Sequence, residues 1–184
     1  MLRTWLIGLL VVVASLCSDC VSGSDESKKG VTEAARMVLP CLSDGSTFDL
    51  SKQKARYVVL HFLLKTECPY CLKYTREFSQ IAKDEADIVH VFLKPDNEAE
   101  IRKWMDHLDA ETRKELPMIL HDAGAKQAQA FKIPDGYRFH GQSVHYPALI
   151  ILGPDRQEVF RHVGKSNADR CTADMYREQM GKLK

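Results

Sequence analysis

The chain has 184 residues, 26 basic and 25 acidic side chains, and a formal net charge of +1 at pH 7. This length suits one well-packed domain. Because basic and acidic side chains are nearly equal in number, the chain has no broad basic surface for nucleic acid or an anionic membrane. We therefore expect one domain, no nucleic-acid partner, and a function that depends on a local site.

The N-terminus has the layout of a secretory signal peptide over residues 1–23. Arg3 precedes an apolar run from about Leu6 to Leu16, after which the residues become small and polar. The run is short for a membrane span, and cleavage after Gly23 would leave no stable membrane insertion. Retention as an anchor and lipidation are the alternatives. We expect export, to the periplasm in a bacterium and otherwise to the secretory pathway or the exterior.

Residues 24–37 predict a polar linker, and residues 38–184 predict the folded domain. The Asp44-Gly45 pair is typical of a hairpin turn in an extended lead-in. Residues 57–64 form a continuous apolar run, as in a strand buried on both faces. A helix starting at Pro69 and a second buried strand follow, which predicts a parallel crossover.

Residues 96–116 predict one long helix in which Trp104 and Leu108 face inward. A short strand is expected after Pro117. A short helix should then end before Pro134.

The last part of the chain predicts a polar loop, two strands and a helix. The loop covers residues 136–146, a strongly apolar strand follows Pro147, and residues 158–164 alternate like an antiparallel edge strand. Residues 166–183 predict the C-terminal helix. The expected fold is α/β, with a central mixed sheet flanked by helices on both faces.

Four of the six cysteines would survive signal cleavage, and disulfides persist after export. Cys41 and Cys171 either form a second bridge or stay as buried thiols. Cys68 and Cys71 stand three residues apart, as Cys-Pro-Tyr-Cys. A zinc half-site or a structural bridge is the alternative to redox chemistry for this pair. Apart from Cys17 and Cys20 in the predicted signal peptide, however, the sequence has no second CxxC, and it has no HxxxH.

The order strand, CxxC, helix predicts the chemistry of the pair. Cys68 falls at a helix N-terminus, where free N–H groups and the helix dipole stabilise a thiolate. Cys68 is therefore the predicted attacking thiol, and Cys71 is the resolving thiol that closes the mixed disulfide. This chemistry needs no metal and no organic cofactor.

The run VVLHFLLKTECPYC, with the later HYPALIIL, resembles the thioredoxin superfamily over roughly residues 38–180. The lead-in, the insertion before Pro147 and the closing GPDRQEVFRHVG resemble its exported thioredoxin-like and peroxiredoxin-like (AhpC/TSA-type) branch. The resemblance implies a cis Pro147 against the cysteine pair, which leaves the Tyr146 backbone free to pair with a substrate strand. Pro69, Tyr70 and Tyr146 are then candidate substrate contacts, although the tyrosines could equally be packing residues.

The resemblance implies a thiol:disulfide oxidoreductase whose partners are protein thiols and disulfides. One alternative is a peroxiredoxin-like thiol peroxidase, in which Arg161 would activate the attacking thiolate. Another is a non-enzymatic module that binds a peptide, or copper with help from His140 or His145. His61 lies near the position of the buried acid of thioredoxins, which makes it a candidate general acid/base for Cys71 or a core residue.

Overall fold

The computed structural model describes residues 36–65, 68–115, 117–139 and 142–183. The predicted signal peptide, its cleavage point, most of the predicted linker and His140 lie outside the described residues. Among the described residues, no helix is long and apolar enough to cross a membrane. Met37, assigned from the sequence to the linker, is fully buried in the core, and its carbonyl accepts a hydrogen bond from the Leu50 N–H.

The described ranges form nine strands and five α-helices. The strands are β1 Val38–Pro40, β2 Thr47–Asp49, β3 Tyr57–Phe62, β4 Ile88–Lys94, β5 Met118–His121, β6 Asp135–Phe139, β7 Gln142–His145, β8 Ala148–Leu152 and β9 Glu158–Val163. The helices are α1 Pro69–Lys83, α2 Glu98–Met105, α3 Ala110–Lys114, α4 Lys126–Ala130 and α5 Ala173–Leu183.

The central sheet has the strand order β5-β4-β3-β8-β9. Strands β3, β4 and β5 are parallel, whereas β8 is antiparallel to both β3 and β9. Every residue of β3 and β8 is buried, as their continuous apolar sequences predict. The predicted mixed sheet, parallel crossover and antiparallel edge strand are confirmed.

The two faces of the sheet support separate hydrophobic cores, because alternate strand residues point to opposite sides. On one face Val59 and Phe92 pack with residues of α1, α2 and α5, including both cysteines of the CxxC pair. We call this side the thiol face. On the other face Val58 and Leu60 pack with α4 and with the β1–β2 hairpin. Helices therefore flank both faces, as expected.

Two predicted elements are wrong. The long helix over residues 96–116 is broken between α2 and α3, because the Asp109 carboxylate accepts the Thr112 N–H at 2.9 Å and starts a new helix. The predicted polar loop over residues 136–146 is an antiparallel hairpin of β6 and β7. Val144 explains this difference, because it is buried in the core of the thiol face and anchors β7.

The C-terminal helix begins at Ala173, seven residues later than the sequence predicts. The Thr172 hydroxyl accepts the Met175 N–H at 3.2 Å, which caps α5 at this point. Residues 164–172 consequently form a loop between β9 and α5. We call it the C-terminal loop, and it reaches back to the CxxC pair.

Candidate active site

Cys68 is the N-cap residue of α1, and Pro69 occupies the first helical position. The backbone N–H groups of Tyr70 and Cys71 therefore point toward the Cys68 sulfur, and they help to lower its pKa. Only 4% of the residue is exposed. Cys68 therefore lies at the start of α1, beyond the carboxyl end of the central strand β3.

Cys71 lies one turn deeper and is fully buried. Its sulfur is 3.8 Å from the Leu64 carbonyl oxygen, to which Lys94 also donates a hydrogen bond at 2.7 Å. Lys94 is itself fully buried at the end of β4, 3.5 Å from the Asp96 carboxylate and 4.5 Å from the centroid of the Trp104 ring. A cation therefore lies on the inner side of the thiol pair.

Arg170 covers the outer side of the pair. One guanidinium nitrogen, Nη2, donates to the sulfurs of both Cys68 and Cys71 at 3.3 Å. The guanidinium also lies over the ring of Tyr74, 5.4 Å from its centroid. A positive charge shared by two sulfurs stabilises a thiolate on either of them.

The two thiols differ strongly in acidity. Hydrogen bonding from the Cys71 thiol is the largest cause that lowers the pKa of Cys68, and with Arg170 and the helix N–H groups it lowers that pKa to about 5. Burial raises the pKa of Cys71 well above its ordinary value, although Lys94 and Arg170 oppose the rise. Near neutral pH the pair is therefore one thiolate and one thiol.

The C-terminal loop that carries Arg170 is held close to the sheet at Gly164. The Gly164 N–H donates to the Pro147 carbonyl at 2.8 Å. A Cβ atom at this position would lie 2.0 Å from the Asp169 carbonyl oxygen, so no side chain fits. Asp169 also accepts the Lys165 N–H at 2.8 Å, which closes the loop just before Arg170.

The structure corrects the expectations for Tyr146 and Pro147. No peptide bond in the described ranges is cis, so Pro147 follows a trans bond. The Tyr146 backbone is also occupied, because its N–H donates to the Pro134 carbonyl at 3.1 Å and its carbonyl accepts from His145 Nδ1 at 2.8 Å. Pro134, just before β6, and His145 at the end of β7 are these partners.

The remaining predicted substrate contacts are placed differently. Pro69 and Tyr70 follow Cys68 directly, and 45% of Tyr70 is exposed. Tyr146 is half-buried, and its ring packs so closely over Gly136 that a Cβ there would meet the hydroxyl at 2.7 Å. Tyr70 is accordingly open to a partner, whereas Tyr146 serves the packing of the hairpin.

Both ring nitrogens of His61 are hydrogen-bonded to groups other than Cys71. Nδ1 is 3.0 Å from the Tyr74 hydroxyl and Nε2 is 3.0 Å from His90 Nδ1. The ring stacks on Phe92 and is fully buried. Burial and the neighbouring His90 lower its pKa well below the ordinary value, so the imidazole is neutral.

Cys41 and Cys171 do not pair. Both are free and buried, but Cys41 packs in the core on the far side of the sheet, whereas Cys171 packs on the thiol face. Burial raises the pKa of Cys171 to about 12. Cys68 and Cys71 are also free thiols, so the structure shows the reduced form of the pair.

Neither Arg161 nor His145 joins the thiol pair. Arg161 is an exposed residue of β9 and pairs with the Glu158 carboxylate at 2.5 Å. His145 packs edge-on against Phe62, whose side chain belongs to the core on the other side of the sheet. Among the described residues, no group of three or more His, Cys, Asp or Glu residues could hold a metal ion.

The sequence profile of the AhpC/TSA family matches residues 32–159, more than half of the chain. The chain belongs to the AhpC/TSA family. The matched segment contains the cysteine pair, Lys94 and Pro147, whereas Arg170 lies beyond it. No curated protein matches the chain in sequence.

Solved structures with this fold include redox proteins of two kinds. A secreted Mycobacterium tuberculosis disulfide oxidoreductase homologous to E. coli DsbE is 16% identical, with a TM-score of 0.60 over 82% of this chain and 98% of that one. Peroxidoxin BcpB from the same organism is 22% identical, with a TM-score of 0.63 over 80% and 93%. The Xanthomonas campestris bacterioferritin comigratory protein is 14% identical, with a TM-score of 0.62 over 82% and 92%.

Sequence reasoning missed Arg170, Lys94, Tyr74 and His90. The sequence does contain a clue to Lys94 and His90, because each is a polar residue in the otherwise apolar strand IVHVFLK. A polar group in a buried strand needs a partner, which predicts a specific contact for each of them. Tyr74 is three residues after Cys71 and shares its helix face. Arg170 has no local signal, since its position depends on the C-terminal loop.

Proposed function

We propose that this protein is a thiol:disulfide oxidoreductase that exchanges electrons with protein substrates through Cys68 and Cys71. The AhpC/TSA family and the thioredoxin-like fold support thiol-based redox chemistry. The observation that carries the more specific proposal is the contact of Arg170 with both sulfurs at 3.3 Å. One cation can stabilise first the attacking thiolate and then the resolving one.

The exchange takes two displacement steps. The Cys68 thiolate attacks one sulfur of a substrate disulfide, so the substrate S–S bond breaks, one substrate thiolate leaves and takes up a proton, and a mixed disulfide forms. Cys71 then loses its proton to solvent and attacks the Cys68 sulfur, which releases the second substrate thiolate. Two electrons pass from the dithiol to the substrate, and the reverse sequence oxidises a substrate dithiol.

The second step is the demanding one, because burial raises the pKa of Cys71. Lys94 and Arg170 flank Cys71 and favour its thiolate. Once Cys68 is bound in a mixed disulfide it carries no charge, so Arg170 is no longer shared and can stabilise Cys71 alone. The geometry thus supports an attack by each cysteine in turn.

The surface beside Cys68 suits a protein substrate. Tyr70 is exposed next to the attacking sulfur, and Pro69 and Tyr70 form the outer surface at the start of α1. An aromatic side chain gives contact area at a low cost in conformational entropy. We propose that both residues contact the substrate, and that the protein acts after export, as its N-terminal sequence predicts.

A thiol peroxidase is the second candidate, because a cation on a low-pKa thiolate also suits attack on a peroxide. The Xanthomonas campestris relative is described by its alkyl peroxide reduction activity. Here the Cys68 thiolate would attack the peroxide O–O bond, giving a sulfenic acid and, after protonation, an alcohol. The Cys71 thiol would then condense with the sulfenic acid, releasing water and leaving the Cys68–Cys71 disulfide.

Trapping the mixed disulfide tests the proposal. The reduced Cys71→Ser variant, mixed with a disulfide-bonded protein, should accumulate a covalent complex through Cys68 that a thiol reductant reverses. The Cys68→Ser variant should form none. Cys41→Ser is the matched control, since Cys41 is a buried free thiol on the other side of the sheet, and it should exchange like the unmodified protein.

Two outcomes count against disulfide exchange. If the Cys71→Ser variant forms no complex with any disulfide-bonded protein but consumes an alkyl hydroperoxide, the peroxidase replaces the proposal. If the unmodified protein does neither, the chain retains the fold without thiol chemistry.

A further inference from the structure

A chain of buried hydrogen bonds crosses the core of the thiol face. The Glu85 carboxylate is 2.9 Å from His90 Nε2, His90 Nδ1 is 3.0 Å from His61 Nε2, and His61 Nδ1 is 3.0 Å from the Tyr74 hydroxyl. Tyr176 also donates to the Glu85 carboxylate, at 2.6 Å. We call Glu85, His90, His61 and Tyr74 the buried chain.

His61 is the central link of this chain, because both of its ring nitrogens have a hydrogen-bond partner, Nε2 in His90 and Nδ1 in the Tyr74 hydroxyl. Both ring nitrogens of His90 are paired as well, Nδ1 with His61 and Nε2 with the Glu85 carboxylate. A buried network in which both rings are held at two points is rigid.

The buried chain ends beneath Arg170. The Tyr74 ring supports the guanidinium, whose Cζ is 5.4 Å from the ring centroid. Within the described ranges, Arg170 Nε has no hydrogen-bond partner. The contacts that the structure shows for this cation are the two sulfurs and the Tyr74 ring.

We propose that the buried chain positions Arg170: by fixing the Tyr74 ring, it holds the guanidinium against both sulfurs and so sets how easily Cys68 ionises. This inference rests on the proposed function for its biological meaning, because a tuned thiolate matters only if Cys68 reacts. The members of the chain touch no sulfur through their polar atoms, and they act through Arg170.

The link of the chain that lies next to Arg170 is the hydrogen bond between Tyr74 and His61. Removing the Tyr74 hydroxyl leaves His61 Nδ1 buried without its hydrogen-bond partner, which is costly. The ring at position 74 is then no longer held by a hydrogen bond, and the guanidinium packed on it is no longer held at a fixed distance from the two sulfurs. Arg170 would spend less time on the sulfurs, and the Cys68 thiolate would be less stable.

The test is the pH dependence of Cys68 alkylation by iodoacetamide in the reduced protein, read for the Cys68 peptide alone by mass spectrometry. Tyr74→Phe keeps the ring and removes the hydroxyl, and we expect the midpoint to rise by roughly 0.5 to 1 pH unit. His61→Phe breaks the same hydrogen bond from the other side and should give a similar rise. The double variant should add little to either single one, because both remove one interaction.

Tyr57→Phe is the matched control. It removes a tyrosine hydroxyl that donates to the Leu183 carbonyl at 2.7 Å in the same core, and it should leave the midpoint unchanged. The inference is wrong if Tyr74→Phe has an unchanged midpoint, if Tyr57→Phe shifts it equally, or if the two chain variants are additive. Should His61→Phe not fold, the comparison of Tyr74→Phe with Tyr57→Phe decides alone.

Alkylation needs no substrate, so this test is independent of the proposed function. A shifted midpoint in a protein that traps no mixed disulfide would contradict the proposed function and support the inference. An unchanged midpoint in a protein that does trap a mixed disulfide would support the proposed function and contradict the inference.

Discussion

At the scale of single residues, the site depends on the difference between two cysteines one helical turn apart. Cys68 has the helix N-terminus, the Cys71 thiol and Arg170 as stabilising neighbours, and its pKa falls to about 5. Cys71 has most of the same neighbours but is buried more deeply, and its pKa rises. In the proposed mechanism, this difference in burial makes Cys68 the attacking sulfur and Cys71 the resolving one.

Replacing Cys71 tests the largest contribution to the acidity of Cys68. A serine can still donate a hydrogen bond to the Cys68 thiolate, whereas an alanine cannot. We expect the alkylation midpoint of Cys68 to be roughly one pH unit higher in Cys71→Ala than in Cys71→Ser. Equal midpoints in the two variants would show that this hydrogen bond does not control the acidity.

Removing the guanidinium tests the contribution of Arg170. Arg170→Met keeps an unbranched apolar side chain over Tyr74 and should raise the alkylation midpoint of Cys68 by roughly one pH unit. Arg161→Met is the control, because Arg161 pairs with Glu158 on the edge strand, and its midpoint should not change. A rise of similar size in both variants would point to a general charge effect.

At the scale of elements, the C-terminal loop completes the site. The loop follows β9 from Gly164, turns back at Asp169 and places Arg170 against the two sulfurs before α5 begins. The loop depends on the close approach of Gly164 and the Asp169 carbonyl, which only glycine allows.

Gly164→Ala should therefore disturb both the fold and the thiols. A Cβ 2.0 Å from a backbone oxygen forces the loop to move, so we expect a Tm lower by roughly 3 to 10 °C and a higher alkylation midpoint of Cys68. Gly181→Ala is the control, because a Cβ at Gly181 meets nothing within 4 Å. Thermal unfolding and alkylation check both expectations, and an unchanged midpoint in Gly164→Ala would separate the loop from the thiol chemistry.

The elements that sequence could predict are those whose pattern is local. Tyr57–Phe62 and Ala148–Leu152 are continuous apolar runs, and the position of Cys68 before α1 follows from Pro69. The helix α5 starts later than predicted because residues 166–172 are rich in Ser, Asn, Asp and Thr, which favour turns and caps over helix interiors. The Thr172 cap and the loop contacts of Asp169 fix the start at Ala173.

The parts of the site that sequence could not predict depend on tertiary contacts. The sequence indicates His61 as a candidate acid or base, but its contacts with Tyr74 and His90 arise only in the folded chain, because both partners are on other elements. Arg170 is 102 residues from Cys68, and only the folded C-terminal loop brings them together. A single sequence has no signal for such a contact.

At the scale of the whole molecule, the acidity of Cys68 links stability to pH in the reduced form. The folded pKa of about 5 lies below the ordinary value of 9.0, so between these values the unfolded chain binds more protons than the folded one. Stability therefore rises with pH across this range and is lost as pH falls toward the folded pKa. The lowered pKa values of His61 and His145 act in the same direction, but below their ordinary value of 6.5.

Denaturant unfolding of the reduced protein between about pH 7 and about pH 8.5 isolates Cys68 from the histidines. We expect the free energy of unfolding to increase over this range in the unmodified protein. In Cys68→Ser no increase should remain, because the raised pKa values of Cys71 and Cys171 lower stability as pH rises toward their ordinary value. An equal slope in the two proteins, or a decrease in the unmodified protein, would mean that Cys68 is not a thiolate in the folded state.

The equilibrium reduction potential of the Cys68–Cys71 pair, measured by alkylation trapping across glutathione and dithiothreitol buffers, tests the central claim most directly. A thiolate that is stabilised in the reduced form makes the pair more oxidising. A pKa of about 5 lies between roughly 7 for the first cysteine of thioredoxin and roughly 3.5 for that of DsbA. We therefore predict one two-electron transition between roughly −270 and roughly −120 mV. A Cys68–Cys71 disulfide that forms in none of these buffers would contradict the dithiol mechanism.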